Sequence, residues 1–519
     1  MEFIRVAKDH WNFETESGER FYPFGANMNY RIPVREKDEN GKYHDVPGKF
    51  QESLHVIASD EWDPKRIKSV FKGAKKCNMN VLKVFIACPL VAADPQVPGK
   101  FKLREMTPSF PDRLKELMDI AEETGVYVSL TLTEWCMNAS KWFHEGGTFF
   151  GCEEPGKLDS FYIYQQVWKI IAKVCKGRPG LFAYNLATEL YLPAGNWGVA
   201  EGSSFWKFQD QYGLEPYRRW LRFRYKTIDE LNRSWGTSFG DYDEINQPEI
   251  KWYRGLGRYS ESIQEISDFN DFKECVSYFF LKNQTDAIRS IDKKHMITIG
   301  LHPDQGGIST EGFAWKHCGI GSGELDNFDF VTLHVYTEFD YLIYRPELPK
   351  DFHAAHQSNE EDITRRLREC LLYARFNNFG KPCLVEEFGH VVPDWEETAD
   401  VVERTVKFLA GHVSGFQLWF LGNSPDQKTP GVLDYNDKPN EYGKRFAALK
   451  KYLDEFPPER IPAKTVCKIP RVFGNAPDKR TVPEKILYNW DAYEHPVDFE
   501  FPRNETLAEM KRLGMKRMF

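Results

Sequence analysis

Short, nearly continuous apolar runs recur along the chain at 21–27, 81–87, 126–133, 181–189, 296–301, 330–336, 381–390 and 415–419. Consecutive apolar positions, in place of strict alternation, are the pattern of strands covered on both faces. Between them lie longer stretches with apolar residues three and four apart, at 63–77, 111–124, 159–175, 268–291, 361–378, 398–411 and 441–456. These read as amphipathic helices. The first has Asp63 as its N-cap with Pro64 in the first turn, and the second is stopped by Gly125. Eight strands alternating with helices predict parallel strands joined by right-handed crossovers, and eight is the number that closes a barrel. An open doubly wound sheet would need a glycine-rich loop after its first strand, which the sequence lacks. The expected fold is therefore α/β, a (β/α)8 TIM barrel over residues 1–456, with a large insertion after strand four at about 190–267. Residues 3–20 read as a small hairpin turning at Glu16–Ser17–Gly18–Glu19, and 457–519 as a Pro-rich C-terminal extension or arm.

Composition narrows the partners. The 519 residues carry a formal net charge of -8 and no long Lys/Arg run, which argues against a nucleic-acid partner. No stretch of 18 apolar residues occurs, and the N-terminal segment lacks an apolar signal, so the expectation is a cytoplasmic protein without a membrane partner. Ten cysteines are scattered without a CxxC pair, as reduced core cysteines are, and neither a structural metal nor an organic cofactor is implied. Aromatic residues make up 15% of the chain, and several fall in expected loops (Trp135, Trp142, Phe149, Trp197). Flat aromatic faces stack on the C–H faces of sugar rings, which tilts the expectation toward a carbohydrate ligand.

In a barrel of this kind the C-terminal ends of the strands gather around one mouth, where catalysis occurs. The ends read Asn27 or Asn29, Lys83, Glu134–Trp135, Thr188–Glu189, His302, His334 and Tyr336, Glu387, and Trp419. Strands four and seven face each other across an eight-stranded ring, so Glu189 and Glu387 stand on opposite walls. Glycosidic hydrolysis requires such a carboxylate pair. Strand alternation puts the neighbours Glu386 and Glu387 on opposite faces, and gives Asn185 the same face as Glu189. A buried Lys83 needs a counter-charge, for which Glu387 is one candidate.

The segments Ala183–Tyr184–Asn185–Leu186–Ala187–Thr188–Glu189, His334–Val335–Tyr336, Val385–Glu386–Glu387–Phe388–Gly389 and Trp419 resemble the clan of retaining (β/α)8 glycoside hydrolases, which includes family 5 mannanases and cellulases. The stretch 217–237 resembles the helical insert after strand four in family 42 and 35 β-galactosidases, while 129–135 followed by Gly146–Gly147 is similar to the third loop of family 5 mannanases. The resemblance implies Glu189 as acid/base and Glu387, not Glu386, as nucleophile. It places His334 and Tyr336 on one face, with the Tyr336 hydroxyl set to hydrogen-bond the nucleophile, and with the strand-end reading the expected substrate-binding residues are Asn29, Lys83, Trp135, Asn185, Thr188, His302, His334, Tyr336 and Trp419. Two positions depart from the clan pattern. Thr188 stands where Asn is usual, and Lys83 stands where family 5 carries Arg, whose rigid fork a lysine lacks.

Together these features predict a retaining β-glycoside hydrolase acting on β-linked oligosaccharides of the mannoside, glucoside or galactoside type. The rival reading is a non-catalytic carbohydrate-binding barrel, for which Thr188 is the support. A homo-oligomer would form through the C-terminal extension.

Overall fold

The computed structural model describes residues 1–28, 30–37, 43–53, 57, 62–86, 91–93, 101–103, 109–133, 147–148, 158–188, 211–246, 251–253, 256–258, 264–265, 268, 282–300, 328–336, 381–389, 394–422 and 430–455. Eight parallel strands carry the architecture: β1 (Phe24–Asn27), β2 (Val81–Ile86), β3 (Tyr127–Thr133), β4 (Leu181–Thr188), β5 (Met296–Gly300), β6 (Val331–Tyr336), β7 (Cys383–Gly389) and β8 (Gly415–Leu418). Neighbours in sequence pair from β1 through β5 and from β6 through β8, and β8 pairs back to β1. The ring closes between β5 and β6, where Asp329 N donates to Ile297 O at 2.8 Å and Thr298 Oγ1 to Phe330 O at 2.8 Å. The expected (β/α)8 barrel is what the chain forms.

Helices α1 (Pro64–Lys76), α2 (Phe110–Thr124), α3 (Ser160–Cys175), α4 (Gln211–Tyr225), α5 (Ile228–Trp235), α6 (Trp395–Leu409) and α7 (Glu441–Glu455) are described around the strands. Their ends follow local chemistry. Asp63 accepts from Lys65 N and Arg66 N, Asp394 accepts from Glu396 N and Glu397 N, and Gly125 closes α2 at φ 68°. Residues 282–289 are helical as expected, whereas the predicted helix 361–378 lies outside the described residues.

Two apolar layers result from the alternation of each strand. Ala26, Leu82, Val84, Val128, Leu130 and Tyr184 point outward to pack against the helices. Val81, Tyr127, Ala183, Met296, Phe330 and Leu384 fill the barrel at its N-terminal end. That end is sealed by Ile4 and Phe13 from a three-stranded antiparallel sheet, Ile4–Val6, Phe13–Thr15 and Arg20–Phe21. The expected hairpin over 3–20 is therefore a three-stranded meander. Its second turn lies where predicted, with Gly18 at φ 90°, but Phe21 belongs to this sheet and not to β1. Gly25 is demanded by close approach, since a Cβ there would lie 1.7 Å from Val81 O. The insert after β4 is helical, as the 217–237 resemblance implied, with Thr227 capping α5 and Gly236 ending it.

Candidate active site

Above the apolar plug the barrel interior turns polar, and Lys83, Asn27, Asn185, His334, Glu386 and Gln417 are all buried there. They come from β2, β1, β4, β6, β7 and β8, at or near the C-terminal ends of the strands. Lys83 Nζ donates to Glu386 Oε1 at 2.8 Å and to Glu387 Oε1 at 2.8 Å. The expected counter-charge of Lys83 is thus both carboxylates and not one.

Simple alternation would turn Glu387 away from the barrel. The register shows why it does not: Val385 pairs with Leu333 and Glu387 pairs with His334, leaving Glu386 as an extra residue opposite no residue of β6. This bulge resets the phase of the strand. Leu384 and Glu386 face inward, Glu387 faces inward as well, and Phe388 returns to the outer layer. The expectation that Glu386 and Glu387 occupy opposite faces is corrected on this ground.

A similar irregularity lies in β4. Asn185 pairs with Thr131 and Thr298, while Thr188 pairs with Thr133 and Gly300, three residues against two on either side. Counting by twos from Asn185 to Glu189 therefore fails, and the shared face inferred for them does not follow.

Glu386 is fully buried and saturated with donors. Asn185 Nδ2 reaches its Oε1 at 3.0 Å and its Oε2 at 2.7 Å, and His334 Nε2 lies 3.1 Å from Oε1. The amide of Asn185 is oriented by Gly300 N, which donates to Asn185 Oδ1 at 3.0 Å. Because Glu386 can only accept when ionised, His334 Nε2 carries a proton. Burial by itself would raise the Glu386 carboxyl, but the Lys83 charge and the His334 contact outweigh it and hold it down at about 2. Burial would likewise lower Lys83, and the two carboxylates reverse that and raise it. Asn27 Nδ2 fastens the end of β7 to β1 by donating to Glu386 O at 2.8 Å and Leu418 O at 3.2 Å.

Glu387 is buried like its neighbour, at 3% exposed against 0% for Glu386, and lies one residue nearer the end of β7. Its Oε2 lies 3.5 Å from His334 Nδ1. Trp419 follows β8 with its ring edge-on to Phe85 at 6.0 Å, and a Cβ on Gly389 would lie 2.9 Å from Trp419 O.

A family model described as β-galactosidase, of glycoside hydrolase family 42, matches residues 203–370. Over 80 residues the chain is 57% identical to the β-galactosidase BgaB of Geobacillus sp. (strain Y412MC61), an overlap of 14% of this chain and 11% of that protein. Among solved structures, the β-galactosidase of Halorubrum lacusprofundi superposes with TM-score 0.52 at 13% identity, covering 76% of this chain and 57% of that one. The cold-adapted β-galactosidase of Rahnella sp. R3 gives 0.51 at 14% identity, covering 88% and 58%. The chain thus spans less than two thirds of each of these relatives, and at such identities the structures speak to the fold. The resemblance to the (β/α)8 glycoside hydrolase clan is borne out.

In this barrel, the strand ends bring together Lys83, Asn185, His334 and Glu387 of the predicted site, with Trp419 next to Phe85. Thr188 and Tyr336 are placed by strand register alone. Glu189, Asn29, Trp135 and His302 lie outside the described residues. Sequence reasoning missed the part played by Glu386, and it missed Gln417, a fully buried amide between Phe416 and Leu418. A polar residue inside an otherwise apolar strand was the available signal. Among the described residues no group of three or more side chains could hold a metal ion, and the Lys83 ammonium already lies between the two carboxylates. No described helix is long and apolar enough to cross a membrane.

Proposed function

We propose that the protein is a retaining β-glycoside hydrolase acting on β-linked oligosaccharides, with β-galactosides as the first substrate class to test. The observation that carries this reading is a carboxylate at the tip of β7, inside the barrel mouth, held by a lysine and next to a histidine. Glu387 is the nucleophile, because Glu386 is engaged by Lys83, Asn185 and His334 while Glu387 lies one residue nearer the end of β7. Glu189 is the acid/base. In the first step Glu387 attacks the anomeric carbon and the leaving oxygen takes the proton of Glu189, giving a glycosyl-enzyme. In the second, Glu189 deprotonates water, which displaces Glu387 and releases the sugar with retained configuration. The galactoside preference draws on the family model at 203–370 and on the names of the relatives. Buried Cys77, Cys175 and Cys383 as free thiols suit a reducing, cytoplasmic setting.

A panel of nitrophenyl β-galactoside, β-glucoside, β-mannoside and β-xyloside tests the activity and the sugar. Trapping with a 2-deoxy-2-fluoro glycoside followed by peptide mass analysis tests the nucleophile, with the label expected on Glu387. No turnover on any of the four would overturn the hydrolase reading. A label on Glu386 would overturn the assignment of the nucleophile.

A further inference from the structure

The double-displacement reading leaves Glu386 without a task, yet Glu386 is fully buried and held by three side chains. It accepts from Lys83, twice from Asn185, and contacts His334. We propose that Glu386 is a positioning residue for the reaction: a permanent buried anion that keeps Lys83 charged and in place when Glu387 becomes an ester. The proposal rests on the assignment of Glu387 as nucleophile.

Before reaction Lys83 lies between two carboxylates at equal 2.8 Å distances. Attack by Glu387 forms a bond from its carboxylate oxygen to the anomeric carbon, breaks the bond to the leaving oxygen, and turns an anion into a neutral ester. If Glu387 were the sole counter-ion, that step would strand an ammonium that is 0% exposed. Stranding a buried charge is costly, and the cost would fall on the step that forms the ester. With Glu386 in place, Lys83 moves from two anions to one and stays paired. A compact ammonium with three donors can bridge two carboxylates in this way, whereas the planar fork of an arginine would favour one.

Among the described residues, the groups facing the pair include Lys83 from β2, His334 from β6 and the neutral amides Asn185 from β4 and Asn27 from β1. The side chain of Glu386 is fixed from three sides and cannot follow Glu387 toward the mouth. It therefore acts through Lys83 and never touches substrate. Its bulge position serves the same end, since the extra residue in β7 brings two successive carboxylates to one ammonium.

The test compares Glu386→Gln, Lys83→Met and the double variant in the full chain, using 2,4-dinitrophenyl β-galactoside, or the dinitrophenyl glycoside of whichever sugar the panel selects. In Glu386→Gln, loss of an anion within about 6 Å of Glu387 should lower the acidic limb of kcat/KM by about two pH units. The value of kcat/KM on its plateau should fall by roughly 100-fold, because Lys83 is left with a counter-ion that the reaction consumes. In the double variant both charges are gone, so the limb should return close to that of the wild type. The two losses should then be strongly non-additive. If Glu386→Gln misfolds, the double variant, which restores charge balance, should fold and carry the same limb as the wild type. A limb that does not move in Glu386→Gln, or losses that simply add, would overturn the proposal and leave Glu387 as nucleophile. A limb in the double variant displaced as far as in either single variant would also overturn it. Failure of the underlying reading looks different: Glu386→Gln would then be inert and the fluoroglycoside label would sit on Glu386.

Discussion

Replacing Lys83 with methionine removes the cation between two buried carboxylates while nearly preserving volume. Two oxygens each 2.8 Å from one nitrogen are separated by at most about 5.6 Å, where two unit charges at an effective dielectric of ~20 repel by about 3 kcal/mol. That energy corresponds to a pKa displacement of about two units. One of the two carboxyls in the variant should therefore bind a proton at a pH where both are ionised in the wild type. Two readouts follow. The acidic limb of kcat/KM should move up by about two pH units, opposite in sign to the shift expected for Glu386→Gln. Stability at neutral pH should drop by roughly 3 kcal/mol, within the range for breaking one partner of a buried ion pair. The sign of the pH dependence is fixed by linkage: a carboxyl whose folded pKa is higher in the variant than in the wild type costs the variant less stability as pH falls. The variant should thus recover stability relative to wild type on acidification. Urea denaturation at pH 7.5 and pH 5.5, with kcat/KM profiles on a nitrophenyl glycoside, measures both. An acidic limb that stays put or moves down would show that Lys83 does not govern these carboxylates.

Three further outcomes are expected. Gly25→Ala places a Cβ 1.7 Å from Val81 O between β1 and β2, so urea denaturation should show a loss of about 3 kcal/mol or more, and an unchanged midpoint would refute the close-approach argument. Glu189→Ala should lose several orders of magnitude on poor leaving groups and little on dinitrophenyl glycosides, whose leaving group scarcely needs a proton; equal loss on both would remove Glu189 as the acid/base. Glu386, held at about 2 against an ordinary 4.5, contributes stability that is complete above pH 4.5 and is lost as pH falls toward about 2, so between pH 5 and pH 3 the wild type should lose more stability than Glu386→Gln, and parallel losses would contradict this.

The eight strands were legible because the signal is local: a run such as Leu82–Val84–Ile86 with Lys83 and Phe85 needs only its own length to report burial on both faces. The helix ends at Asp63 and Gly125 were equally local, since both act on backbone groups within one turn, whereas the cap Asp394 was not read and its helix begins three residues before the expected 398. Motif order along those strands was enough to propose Glu387 and His334 for one mouth, and register does pair them. What alternation could not deliver was the phase of β7. Counting by twos assumes an unbroken ladder, and the ladder of β7 is set by β6, about fifty residues away, where one residue of His334's strand faces two of its partner's. The same holds in β4, whose phase slips against β3 and β5 together. Lys83 announced from sequence that it needed an anion, because a buried ammonium always does. Which anion, and that there are two, depended on bringing β2 and β7 within 2.8 Å, a distance that long-range strand order alone decides.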